Sequence, residues 1–153
     1  MKHALKILAA AVSMSLAVLT PASAAPEEET VSNAYLHLDG AMDEWASAPA
    51  LRLPSSYHGG HLDSWNNSVI YDDALVIIAY ANRKDNADSL DRAKTMGDAF
   101  LQMQAKDPIG DGRVRNSYGP ENLFDADGVP NILGTGSAAG NQAWAGMALA
   151  HLA

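Results

Sequence analysis

The chain has no cysteine. Disulfides and thiolate catalysis are therefore excluded, and stability must come from packing. Basic residues are scarce: ten Lys and Arg stand against 18 Asp and Glu, for a formal net charge of −8. Nucleic acid is not an expected partner, because neutralising phosphates takes clustered Lys and Arg. An anionic membrane surface is excluded on the same ground. Neutral ligands and cations remain open. Gly-x-Ser-x-Gly and Walker loops are missing, which removes two common catalytic frameworks. No hydrophobic run spans a bilayer either. The N-terminal one, Ile7 to Leu19, holds 13 residues, whereas a spanning helix takes about 20.

That run has a different layout. Lys2 and Lys6 precede it, Pro21 breaks it, and Ala22-Ser23-Ala24 supplies a small-x-small cleavage site. Residues 1–24 thus read as a secretory signal peptide, and the mature chain is expected in the periplasm or outside the cell, free of the membrane after processing. Removing them from 153 residues leaves 129, enough for one domain with a real core.

Residues 25–30 form an acidic leader around Pro26 and Glu27 to Glu29. From 31 to 153 the periodicity is helical. Leu36, Met42 and Trp45 recur through a first amphipathic helix, weakened at Gly40 and ended by Pro49 and Pro54. Residues 54–68 are a loop by composition. A second helix follows, headed by Ser68 as a candidate cap. Its apolar residues Val69, Ile70, Ala74, Leu75, Val76, Ile77, Ile78, Ala79 and Ala81 surround the wheel, which predicts burial on every side. A third, amphipathic helix runs from Ala87 to Lys106 and stops at Asp107-Pro108. The short turn Asn82 to Asn86 makes helices two and three an antiparallel αα-hairpin. Residues 107–139 are a long Gly-, Pro-, Asp- and Asn-rich connection, and Asn141 to Ala153 starts another apolar helix. At an offset of 69, Asp72 falls on Asn141, Leu75 on Trp144 and Ile78 on Met147, a helix-level repeat. The final helix carries no stop signal, so the chain is expected to be part of a longer one, with self-association of the exposed apolar faces if it stands alone.

Asp72 and Asp73 raise the chemical question. Two carboxylates head a segment that otherwise favours burial. At a helix N-terminus the macrodipole favours their charged forms, which suits a general base or an acceptor for sugar hydroxyls and does not suit a general acid. The alternative is that both simply complement the dipole. Tyr57, Trp65, Tyr71 and Tyr118 crowd the loops and helix entry, where flat rings with polar tips suit sugar faces as well as half-buried packing. Trp45 and Trp144 lie in helical patterns and are assigned to the core. His58-Gly-Gly-His61 with Asp63 lacks a third ligand at zinc spacing. Asp125-Ala-Asp127-Gly128 lacks the remaining calcium ligands and reads as a turn. Gly134-Thr-Gly136-Ser-Ala-Ala-Gly140 lacks a βαβ context, Pro130 interrupting its only strand candidate. No metal or cofactor is expected.

Tyr71-Asp72-x-Ala74-Leu75, the hairpin after it, Asp111-Gly112-Arg113 with Tyr118, and Gly140-Asn141-x-Ala143-Trp144 together resemble the repeating pattern of six-hairpin glycosidase-like proteins. The likeness covers roughly residues 50–153. It implies an all-α fold of antiparallel αα-hairpins, part of an (α/α)6 toroid, and hydrolysis of a glycosidic bond in an oligo- or polysaccharide. Helix two and the helix from Asn141 would be inner helices and helix three an outer one. By the same likeness Asp72 would be the catalytic cleft carboxylate, with Asp73 as second choice. Tyr57, Trp65, Tyr71, Tyr118 and Asn141 are the expected carbohydrate contacts. The chain holds about two of the six hairpins, so the alternatives are a non-catalytic glycan-binding or scaffold protein and an inactive fragment.

Overall fold

The computed structural model describes residues 25–45, 51–62 and 64–153. The signal-peptide residues 1–24 and the expected metal-cluster member Asp63 lie outside them. The described residues form four α-helices, Ala25–Asp43 (α1), Ile70–Asn82 (α2), Asp88–Ala105 (α3) and Ala139–Leu152 (α4), with a 3-10 turn at Gly60–Leu62. The fold is mostly helical. It is not purely so: Ser68–Val69 (β1), Ser117–Tyr118 (β2) and Ile132–Gly134 (β3) make a small antiparallel sheet in the order β1-β2-β3. Ser68 faces Tyr118 across the first pair, and Ser117 faces Gly134 across the second, where the register slips at Ser117 and Tyr118.

The sheet corrects the reading of residues 107–139 as connection only. Pro130 does not interrupt a strand, since β3 begins two residues after it. A hairpin precedes β3, closed by Asn131 N–H donating to the Leu123 carbonyl at 2.9 Å and Asp125 N–H to Val129 at 2.9 Å. Its tip is a turn around Asp125, whose Oδ1 accepts from the N–H groups of Asp127 and Val129, with Gly128 at φ +77°. An Asx side chain folding back on its own backbone is a standard turn device. Gly134 is required by proximity, because a Cβ there would lie 2.6 Å from Ser117 Oγ.

Two helix boundaries also differ from expectation. α1 begins at Ala25 and takes in the acidic leader. Proline is tolerated in a first turn, and Glu27 and Glu28 there complement the dipole. At α2, Ser68 is not the cap. It belongs to β1, the cap position is Val69, and the first helical N–H, at Ile70, donates to the Asn116 carbonyl at 3.1 Å.

Asn116 is the hub of this region. Its Oδ1 accepts from Ala138 N–H at 2.8 Å, just ahead of α4, and from Asn141 Nδ2 at 2.9 Å. Its own N–H reaches the Gly134 and Gly136 carbonyls at 3.0 and 2.8 Å. One loop residue therefore sets the starts of both α2 and α4.

The core lies between α2, α3 and α4, which all touch one another. Ile70, Ala74, Ile77 and Tyr80 of α2 meet Ala93, Met96, Ala99, Phe100 and Met103 of α3. α4 contributes Ala145 and Ala148. Small residues let it come close, and Gly97 of α3 does the same from the other side: a Cβ there would lie 2.7 Å from Leu152 Cδ1. α2 is not buried all round. Tyr71 and Leu75 are 40% and 38% exposed, forming one apolar stripe with Met147 of α4. The 69-residue offset does not carry over to environment, since Ala74 is buried and Ala143 is exposed.

α1 joins by polar contacts. Asp39 accepts from the Tyr80 hydroxyl and from Arg83 Nη1, both at 3.0 Å, and Arg92 grips Asp43 with two bonds at 2.8 and 3.0 Å. Tyr35 donates to the Ala79 carbonyl at 3.0 Å, and Arg83 stacks over its ring at 4.3 Å. Met42 adds an apolar plug, fully buried.

Candidate functional site

A cleft of about 380 Å³ opens where α1, the 54–62 loop and the first turn of α2 meet. Its polar lining is His37 from α1, Ser55, Ser56, Tyr57 and His58 from the loop, and Asp72 and Asp73 from α2; Leu38, Ala41, Leu62 and Val76 are among its apolar walls. The volume lies in the usual range for small-ligand sites, roughly 300–1,000 Å³. A second groove of about 190 Å³ shares Ser55, Tyr57 and His58 and runs on to Glu44, Trp45 and Asn66. The loop reaches this position because Ser56 is pinned twice: its N–H donates to the Asn67 carbonyl at 2.9 Å, and its Oγ accepts from Val69 N–H at 2.8 Å. Gly59 and Gly60, at φ +83° and +65°, turn the chain back after His58.

The two aspartates differ sharply. Asp72 is half-buried on the cleft wall. Asp73 is 1% exposed. Its Oδ2 accepts from Ser68 Oγ at 2.7 Å, whereas Oδ1 is buried with no hydrogen-bond partner. Burial pushes the Asp73 carboxyl well above the usual carboxylate range; the Ser68 bond opposes this and the neighbouring Asp72 charge adds to it. An ionised carboxylate in such a place is costly, and the group stays protonated instead. The helix dipole, expected to hold both carboxylates charged, is outweighed at Asp73 because loss of solvent is the larger effect. Asp73 therefore has the character of an acid.

Of the residues expected to contact ligand, the structure brings Tyr57, Asp72 and Asp73 to one cleft. Trp65 stands beside it, 58% exposed, its ring edge-on to Tyr57 at 5.7 Å between centroids. Tyr71 points away and packs edge-on against Trp144 at 5.6 Å. Tyr118 is a core residue and not a ligand contact: it is fully buried, and its hydroxyl accepts from Arg115 N–H at 2.8 Å. Its place in β2 turns it inward. Asn141 is occupied in holding Asn116.

Sequence reading missed His37, Ser56 and Ser68. His37 lies on the first helix with no spacing relation to the aspartates. Ser68 stands five residues before Asp73, a separation that a cap reading absorbs. His58 was weighed only as a metal ligand; its ring lies edge-on to His37 at 5.8 Å and its Nδ1 is 3.8 Å from Glu44 Oε2. Among the described residues no group of three or more His, Asp or Glu is arranged to hold a metal ion. Nor is any helix among them long and apolar enough to cross a membrane.

No family model, curated protein or solved structure matches the chain.

Proposed function

We propose that this is an exported, carbohydrate-active protein whose cleft takes a neutral oligo- or polysaccharide and hydrolyses a glycosidic bond, on helices belonging to an (α/α)6 toroid of the six-hairpin glycosidase type. One observation carries the reading: a protonated, buried carboxyl, Asp73, lines a cleft beside a second and more accessible carboxylate, Asp72. Two carboxyl groups in contrasting environments are the usual equipment for acid and base roles in glycoside hydrolysis. Asp73 gives its proton to the glycosidic oxygen as the bond from that oxygen to the anomeric carbon breaks. Asp72 takes a proton from the water whose oxygen bonds to that carbon. Tyr57, Ser55 and the His37 and His58 rings supply hydrogen bonds to hydroxyls. The adjoining groove toward Trp45 extends the site for a chain longer than one sugar.

A non-catalytic glycan-binding role has its own support. Successive residues on a helix point about 100° apart, so Asp72 and Asp73 do not converge on one atom. The two readings separate in a single experiment: calorimetric binding and product analysis across a panel of neutral oligosaccharides. For hydrolysis, Asp73→Asn keeps binding and lowers turnover by about 10²–10⁴-fold, the usual worth of a general acid. For binding alone, the native protein binds without turnover. A native protein that neither binds nor cleaves any neutral oligosaccharide overturns the proposal.

A further inference from the structure

Ser68 contacts no cleft space, yet its hydroxyl decides how the cleft acid faces a ligand. It is fully buried in β1 and donates to Asp73 Oδ2 at 2.7 Å. A protonated carboxyl has one O–H and one C=O, and the proton sits on one oxygen or the other. With the proton on Oδ2, the carboxyl donates to Ser68. The serine hydrogen then has no acceptor among the described residues, and the Oδ1 carbonyl is unpartnered as well. With the proton on Oδ1, Ser68 donates to the Oδ2 carbonyl, and a single group, the Oδ1–H, is left without a partner. Each buried polar group left unmade costs about 1–3 kcal/mol. The second arrangement leaves one such group where the first leaves two.

We infer that Ser68 is a positioning residue that holds the Asp73 proton on Oδ1, the oxygen no protein group engages, and so presents the cleft with a fixed donor that selects ligands bringing a neutral oxygen acceptor over those bringing a carboxylate. The selection follows from the surroundings. Asp72 lines the same cleft and Glu44 the adjoining groove, so an anionic group at Oδ1 would meet like charge. An ether or hydroxyl oxygen meets only the donor. His37 and His58 are the titratable groups on the opposite wall, and Tyr57 stands on the same loop as His58.

The inference deepens the carbohydrate reading and rests on it for its ligand, but its test does not. Infrared spectra of the full chain with 13C-labelled aspartate, with Asp73→Asn to assign the band, read the Asp73 C=O stretch directly. If Oδ2 is the carbonyl and accepts from Ser68, Ser68→Ala moves that band to higher wavenumber. Ser68→Cys, nearly isosteric and a weaker donor, moves it part of the way and covers the case in which Ser68→Ala fails to fold. A band that does not move in Ser68→Cys, or that moves down in either variant, overturns the inference. The ligand side is read with cellobiose and cellobiouronic acid as probes, in calorimetry at pH 7. The inference expects the neutral probe to bind at least tenfold more tightly, and equal or tighter binding of the acid overturns the selectivity. If neither sugar binds while the band behaves as stated, the carbohydrate reading falls and the proton assignment stands.

Discussion

Asp107 and Asp73 are both buried aspartates, and they are treated in opposite ways. The Asp107 side chain is fully buried at the end of α3, where Arg115 donates to its Oδ2 and reaches on to Asp111 with a bond of 2.6 Å. Its other oxygen accepts from Ile109 N–H at 2.7 Å, closing the turn that stops the helix. Every acceptor has a purpose in holding the chain. Asp73 is as deeply buried, yet it has no cation and one of its oxygens has no partner. The Arg115 cluster is a structural knot, and the cleft acid is a group held under electrostatic cost. A fold that satisfies one buried carboxylate with a full set of donors and leaves another short marks the second as the one reserved for a ligand.

The contrast is sharpest in stability. Asp107→Asn removes the charge that Arg115 is buried against, and a lone buried cation is the costliest remnant of a broken pair. Thermal unfolding should show a drop in Tm on the order of 10 °C, with saccharide binding retained by the fraction that is folded. A drop no larger than that of an average surface substitution would dissolve the comparison.

Asp73→Asn should behave in the reverse sense. The folded-state pKa of Asp73 is raised by burial, so its contribution is fully present below the unfolded value of about 3.9. Between that value and the folded one, the native state keeps a proton that the unfolded chain releases, and stability falls as pH rises. Replacing the acid with a neutral amide removes this slope. The variant should match the native Tm near pH 3 and exceed it by a few degrees at pH 8. A variant less stable at pH 8 than at pH 3, relative to the native chain, would mean that Asp73 is ionised and stabilising.

Asp111 supplies the opposite pH limb. Arg113, and after it Arg115, hold its carboxyl down to about 2. A depressed pKa gives stability that is present above the unfolded value and lost as pH falls through the folded one. The gap between native and Asp111→Asn should therefore close between about pH 4 and pH 2, where the gap for Asp73→Asn is already absent. Denaturant midpoints measured across that range check both limbs in one series.

The smallest effect belongs to Trp65. It is exposed and touches the cleft only through Tyr57. Trp65→Ala should leave stability within about 0.5 kcal/mol and weaken oligosaccharide binding by a few-fold, the scale of one aromatic face. Calorimetry and thermal unfolding on the same preparation separate the two.

Much of the helical scaffold was legible. The Asn82 to Asn86 turn and the Asp107-Pro108 stop bracket α3 to within a residue or two of its observed span, because local turn chemistry governs both ends. The Asp125 turn was equally plain, being made by one side chain and its own backbone. The sheet was not legible. Its strands are two or three residues long and pair across about 50 residues at one edge and about 15 at the other, so no periodicity announces them. Tyr118 went wrong for this reason: a tyrosine in a Gly- and Pro-rich stretch looks available to a ligand until a strand turns it inward.

The candidate site divides along the same line. Sequence alone determined that two carboxylates, a loop with Tyr57 and His58, and a chain free of thiols and poor in basic residues are the chemical stock of this protein. It determined the helix on which the carboxylates ride, since apolar spacing is a local property. Which of Asp72 and Asp73 is buried, that Ser68 faces Asp73 from a strand, and that His37 of α1 closes the cleft were decided only by the tertiary structure. The physical reason is that pKa and hydrogen-bond partnership depend on the solvent removed and the groups brought near, and both are set by segments distant along the chain. Neighbours one residue apart point about 100° from each other on a helix, so the packing of α1 and the loop leaves Asp72 on the cleft wall and takes the water from Asp73.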